Sequence, residues 1–194
     1  MSRPRKFDEN DVVERAMEEF WTNGYAATSP ARLAEATGVA KGSLYNAFSS
    51  KRALFERCLD KYQQQIAKLA EGLMGHPGST RECLRDALRA VVDSDLAQAR
   101  RRGCLICNTA VELAGNDPDL AQKIRKMQDE STAWFARRVE RGQREGDVRP
   151  DLDATAFAEQ MATTLAGLRV MAVTHEAESL YGVIDMALAP LQTS

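Results

Sequence analysis

The sequence has no run of the roughly 18–20 uncharged apolar residues that a membrane-spanning helix needs, and its N-terminus lacks the apolar core of a secretion signal. The expected location is the cytoplasm, with no membrane partner. Cysteine is scarce. Cys58, Cys83, Cys104 and Cys107 are too few and too irregularly spaced for the disulfide framework of a small secreted domain. Histidine is scarcer, with only His76 and His175, and no Glu-x-x-His pair exists to build a di-iron bundle. Neither a Ser/His/Asp set nor a glycine-rich phosphate loop is recognisable, so the sequence offers no catalytic residues and implies no cofactor. Strand signals are absent, and the six prolines fall at helix edges or in the N-terminal segment. Nor is there a large excess of either charge. The net charge of −2 does not by itself point to nucleic acid.

What remains is an all-α chain with 44% hydrophobic residues, long enough for one small and one medium domain. Residues 1–62 hold ten basic against nine acidic side chains, and residues 63–194 sixteen against nineteen. Arg3, Arg5 and Lys6 form a basic arm, while Lys41, Lys51 and Arg52 flank the segment discussed next. This balance is compatible with phosphate binding.

About nine helices are expected. Asp8 caps the first, which runs to Gly24; Thr28 or Ser29 caps the second, with Pro30 in its first turn; the third opens near Lys41. Ser50 caps a fourth helix running to about Leu73. Ser79-Thr-Arg-Glu82 is a capping box that opens a fifth helix to about Arg101. A sixth helix spans about 104–114, a seventh about 118–145 behind Asp117-Pro118, and two more about 152–174 and 177–191. The domain boundary is expected within the fourth helix, giving domains 6–66 and 67–194.

Residues 29–48 have the pattern of a helix-turn-helix. Ala34 is small enough for a close helix crossing, and Gly38 suits the left-handed turn four residues later. Leu33, Val39, Leu44 and Phe48 supply the inward face. The run Gly24-Tyr-Ala-Ala-Thr-Ser, followed by Leu-Ala-Glu-Ala-Thr-Gly-Val-Ala-Lys-Gly-Ser-Leu-Tyr-Asn-Ala-Phe-Ser-Ser-Lys-Arg-Ala-Leu-Phe55, resembles the N-terminal domain of TetR-family transcriptional regulators. Gly103-Cys-Leu-Ile-Cys-Asn-Thr-Ala-Val-Glu-Leu113 is similar to one branch of that family's effector domains. Pro30-Ala31 and Asn46-Ala47 depart from the residues more usual there. The resemblance implies a homodimer that binds a double-stranded operator and answers to a small-molecule effector. It assigns DNA-backbone contacts to Thr28, Tyr45 and Lys51, and groove contacts to Lys41, Gly42, Ser43 and Asn46, with Ser29 beside them. By its chemistry Asn46 is the best base reader, because an amide can bond adenine bidentately.

Cys104 and Cys107 form a C-x-x-C. Zinc needs about four ligands and no others lie near in sequence, so no metal site is expected. The pair is either a thiol sensor or, the reading preferred here, two small buried apolar residues; no Lys or Arg follows one helical turn on to lower a thiol pKa. Met127, Trp134, Phe135 and Leu165, with Cys104, are candidates for lining an effector pocket. The last two helices are apolar almost all round, which suggests a subunit interface. Its expected residues are Phe157, Met161, Leu165, Leu168, Leu180, Ile184 and Leu188. The expected function is a ligand-responsive repressor binding a palindromic operator. The alternatives are a thiol or electrophile sensor of the same fold that uses Cys104, or a helical-bundle enzyme or carrier with a vestigial helix-turn-helix.

Overall fold

The computed structural model describes residues 7–75 and 77–191, so the basic arm and His76 lie outside the described residues. Every regular element among the described residues is helical: α1 (Glu9–Asn23), α2 (Pro30–Thr37), α3 (Lys41–Phe48), α4 (Lys51–Met74), α5 (Thr80–Leu96), α6 (Leu105–Thr109), α7 (Pro118–Glu145), α8 (Ala154–Met171) and α9 (Ala177–Ala187). A π-helical turn, Ala110–Ala114, extends α6, and a 3-10 turn, Ala189–Leu191, follows α9. The chain divides into two compact units within α4, one ending at Gln65 and the other beginning at Ile66.

The helix starts follow from side chains that satisfy otherwise orphaned N–H groups. Asp8 accepts from Asn10 N at 2.8 Å, Ser29 from Arg32 N at 3.2 Å and Asp117 from Leu120 N at 2.9 Å. Ser79 and Glu82 form the full reciprocal capping box at α5.

In the first unit α1 buries Val12, Val13, Ala16, Met17 and Phe20. Leu33, Leu44, Leu54 and Leu59 are also fully inside. In the second unit one core joins α5, α7, α8 and α9 through Leu84, Leu88, Val92, Phe135, Val139, Met161 and Ile184, among others. α7 closes against the start of α5 at Gly142. A methyl group there would lie 2.2 Å from Thr80 Oγ1 and 2.4 Å from Asp147 Oδ1, so no larger residue fits without movement.

Four element ends differ from the sequence expectation, and long-range bonds compete with the helix at the end of α5 and just beyond the end of α8. α5 stops at Leu96, five residues before Arg101. The connector after it is held elsewhere: Arg169 on α8 grips Asp95 with two bonds of 2.8 Å and reaches the Gly103 carbonyl at 3.2 Å. Arg101 donates to the His175 carbonyl at 3.1 Å and pairs with Glu176. The sixth helix is α-helical for only five residues before the π turn, which leaves Val111 91% exposed. α8 and α9 end at Met171 and Ala187.

The expected interface residues require a correction. Phe157, Met161, Leu168, Leu180, Ile184 and Leu188 are at most 3% exposed within the single chain, and Leu165 is half-buried against the same core. They hold α8 and α9 to α5 and α7. The apolar side chains that these helices and the residues just after α8 leave exposed are Val170, Met171, Val173, Val183 and Met186.

Candidate nucleic-acid interface

The α2–turn–α3 segment forms because its inward residues leave it no other packing. Leu33 and Leu44 are fully buried, and Val39 and Phe48 nearly so. Gly38 ends α2 in the left-handed conformation, φ +68°, with its N–H donating to the Glu35 carbonyl. Thr37 donates its hydroxyl to the Leu33 carbonyl at 2.6 Å and accepts from Val39 N at 3.4 Å, which ties the turn to the helix before it.

With that face inside, Lys41, Gly42, Ser43 and Asn46 are left exposed on α3, and Tyr45 is half-buried. Burial raises the pKa of the Tyr45 phenol, so it remains a neutral donor. Ala40, at the start of α3, supplies no side-chain cap. The first-turn N–H groups of Lys41, Gly42 and Ser43 thus form one polar, positively polarised end. A methyl group built on Gly42 would meet nothing within 4 Å.

α3 passes into α4 through a strained corner. Ser49 has φ +68° and ψ −42°, the only positive φ of a non-glycine residue among the described residues. Ser50 N donates to the Phe48 carbonyl at 2.8 Å, which makes Ser49 the centre of a γ-turn. The Ser50 Oγ then accepts from Ala53 N at 3.0 Å and caps α4. Lys51 follows, its Nζ 4.2 Å from the centre of the Tyr25 ring.

The structure separates the residues expected to touch DNA. Lys41, Gly42, Ser43 and Asn46 share the exposed face of α3, with Lys51 just beyond it. Ser29 is exposed but its Oγ is engaged as the cap of α2. Thr28 does not fit its expected role. It is fully buried, and its hydroxyl donates to the Gly24 carbonyl at 2.7 Å, so it fixes the α1–α2 turn instead of meeting a phosphate. The contact of Lys51 with the Tyr25 ring could not be read from spacing, since 26 residues separate the two, beyond any helical periodicity.

The residues expected to line an effector pocket lie in the second unit. Phe135 and Leu165 belong to the α5/α7/α8/α9 core. Cys104 and Met127 are buried and Trp134 half-buried. Cys104 sits just before α6, and the Cys107 thiol is hydrogen-bonded to it. That bond, followed by burial, holds the Cys107 pKa well above the ordinary thiol range, and the charge of Arg169 opposes the rise only in part. A search along the helix could not have found Arg169, which reaches this corner from α8.

Comparison with known proteins accords with this geometry. The family model described as bacterial regulatory proteins of the tetR family matches residues 12–58, and that of the tetracyclin repressor-like C-terminal domain matches residues 78–185. The transcriptional repressor ComR of Escherichia coli (strain K12) is 30% identical over 189 residues, covering 95% of this chain and 88% of ComR. The transcriptional regulator YezE of Bacillus subtilis (strain 168) is 29% identical, covering 98% of this chain and all of YezE. Among solved structures, a cysteine mutant of the TetR-family regulator CifR, complexed with 26-bp double-stranded operator DNA, superposes with a TM-score of 0.87. It is 33% identical and the match covers 96% of this chain and 98% of CifR. No described helix is long and apolar enough to cross a membrane. The chain belongs to the TetR family of transcriptional regulators and is a DNA-binding protein.

Proposed function

We propose that the protein is a repressor that binds a palindromic operator as a homodimer and leaves it when a small molecule enters the domain spanning 67–194. The observation that carries this reading is the exposed row Lys41, Gly42, Ser43 and Asn46 on a helix whose opposite face is fully buried. A helix presented in this way can enter a major groove end-on, with Asn46 toward a base edge and Lys51 toward a phosphate. Two copies, about 34–36 Å apart, would meet successive grooves on one side of the duplex. The 26-bp operator in the CifR complex is long enough for two such half-sites.

The dimer would form through the exposed apolar side chains Val170, Met171, Val173, Val183 and Met186. The effector would act by linkage, binding best to the state in which the two recognition helices no longer match the groove spacing. Proteins of this kind act by binding rather than by turnover, in the cytoplasm at the nucleoid. A ligand is favoured over a trigger at Cys107 because that half-buried thiol, hydrogen-bonded to Cys104, has a raised pKa and is a poor nucleophile.

The test is selection of bound fragments from genomic DNA, followed by fluorescence anisotropy on the recovered duplex with wild type and Asn46→Ala. Two chains per duplex and a loss of roughly 1–3 kcal/mol of specificity are expected for the variant. Recovery of fragments without a shared two-fold sequence, or equal binding by Asn46→Ala, would refute the docking.

A further inference from the structure

Tyr25 lies in the turn between α1 and α2, and its ring does two things at once. It packs into the aromatic cluster of the first unit, with centroids 5.9 Å from Phe20 and 4.8 Å from Phe55. Phe20 and Phe55 meet edge-on at 4.9 Å, so the ring stands on a rigid, buried base. It also holds Lys51 Nζ 4.2 Å from its centroid. Lys51 is the first residue of α4, placed there by the Ser49 turn and the Ser50 cap, at the positively polarised end of a 24-residue helix.

A lysine ammonium is a point charge on a flexible four-carbon stem, and that stem must be ordered before it can serve a phosphate. An aromatic face attracts the ammonium through its quadrupole and fixes its position without neutralising the charge. We infer that Tyr25 is a positioning residue for DNA binding, its ring holding the Lys51 ammonium at the start of α4 for a backbone phosphate. This rests on the reading that Lys51 meets the DNA backbone. Since phosphate contacts carry no sequence information, the effect extends to every duplex. It depends on the π face of residue 25 and not on its hydroxyl.

The experiment uses the full-length protein, a mixed-sequence duplex of about 30 bp that spans two half-sites, and fluorescence anisotropy. Tyr25→Phe should bind within about twofold of wild type, because the π face is kept. Phenylalanines carrying one, two and three ring fluorines are then placed at position 25. They weaken the quadrupole while hardly altering shape. Affinity should fall stepwise, by roughly two- to fivefold in total, with the thermal midpoint unchanged. In a Lys51→Met background the same fluorines should have no effect. If Lys51→Met weakens binding but the fluorine series does not, the role of Tyr25 is overturned and that of Lys51 stands. If the series weakens binding equally in both backgrounds, the ring acts by packing and the inference fails. If Lys51→Met binds as wild type does, the phosphate contact is itself wrong and the inference falls with it.

Discussion

Gly42→Ala separates folding from binding at a single atom. Gly42 lies in the first turn of α3, exposed, and an added methyl would meet nothing of the protein within 4 Å. The fold therefore gains nothing from the missing side chain. Glycine in a helix costs up to about 1 kcal/mol relative to alanine, less near an end, and a freer unfolded chain is part of that cost. The variant should be more stable by about 0.5–1 kcal/mol, which for a chain of this size raises the thermal midpoint by roughly 1–4 °C. On DNA the sign reverses. If α3 enters the groove with Gly42 against the duplex, the methyl must be accommodated at a packed contact, at about 1–3 kcal/mol, or roughly 5- to 150-fold in operator affinity. Differential scanning calorimetry and anisotropy on one preparation measure both. A stabilised variant with wild-type operator affinity would refute the close approach. A destabilised variant would refute the local geometry.

Three further outcomes are expected. Ser49→Gly should stabilise the protein by about 1 kcal/mol in urea denaturation, since relief of about 1–3 kcal/mol of backbone strain outweighs the added freedom of the unfolded chain; a loss of stability would show that the γ-turn is not strained. Met186→Asp, at a residue 75% exposed in the single chain, should fold normally yet sediment as monomer, whereas Ile184→Asp, at a fully buried residue, should unfold; a dimeric Met186→Asp would remove α9 from the interface. Burial holds the Cys58 thiol well above its ordinary pKa, as the bond to Cys104 and burial do for Cys107, so both stay protonated when the unfolded chain loses its thiol protons. Stability from these two groups is complete below about pH 8.5 and should fall as pH rises beyond it, and a Cys58→Ala variant should show a shallower decline; an equal decline would show that Cys58 does not contribute.

The first unit was largely legible because its information is local. Asp8, Ser29 and Gly38 are signals that act within a few residues, and each does so here. The inward face Leu33, Val39, Leu44 and Phe48 follows from helical spacing alone. Thr28 was given a DNA contact by resemblance alone, whereas its hydroxyl is taken locally by the Gly24 carbonyl four residues back. In the second unit the decisive contacts are distant. Arg169 and Asp95 are 74 residues apart, and together they help set where α5 ends and where α6 begins. The apolar character of α8 and α9 was plain, but a helix with apolar residues on every side does not disclose which side its own chain will cover. α5 and α7 take the side bearing Met161 and Ile184 and leave Val183 and Met186 outside.

The pattern of local disagreement between sequence and structure is itself informative. Gly103, with φ +66°, violates no packing rule: a methyl there would lie 3.1 Å from the Arg169 carbonyl, so the glycine serves the fold. Gly142 serves it in the same way. Gly42 and Ser49 are different. The first weakens a helix where a larger residue would fit, and the second adopts a strained conformation that a glycine would relieve. Neither choice helps the chain fold, and the two stand at opposite ends of α3, the helix with its outer face bare. Open helical glycines also stand at Gly72 in α4, Gly167 in α8 and Gly182 in α9, so it is the pairing of Gly42 with the strained Ser49 around the bare face of α3 that singles this helix out. Both point to the same external partner, a surface against which the start of α3 must come close and from which the α3–α4 corner must not move.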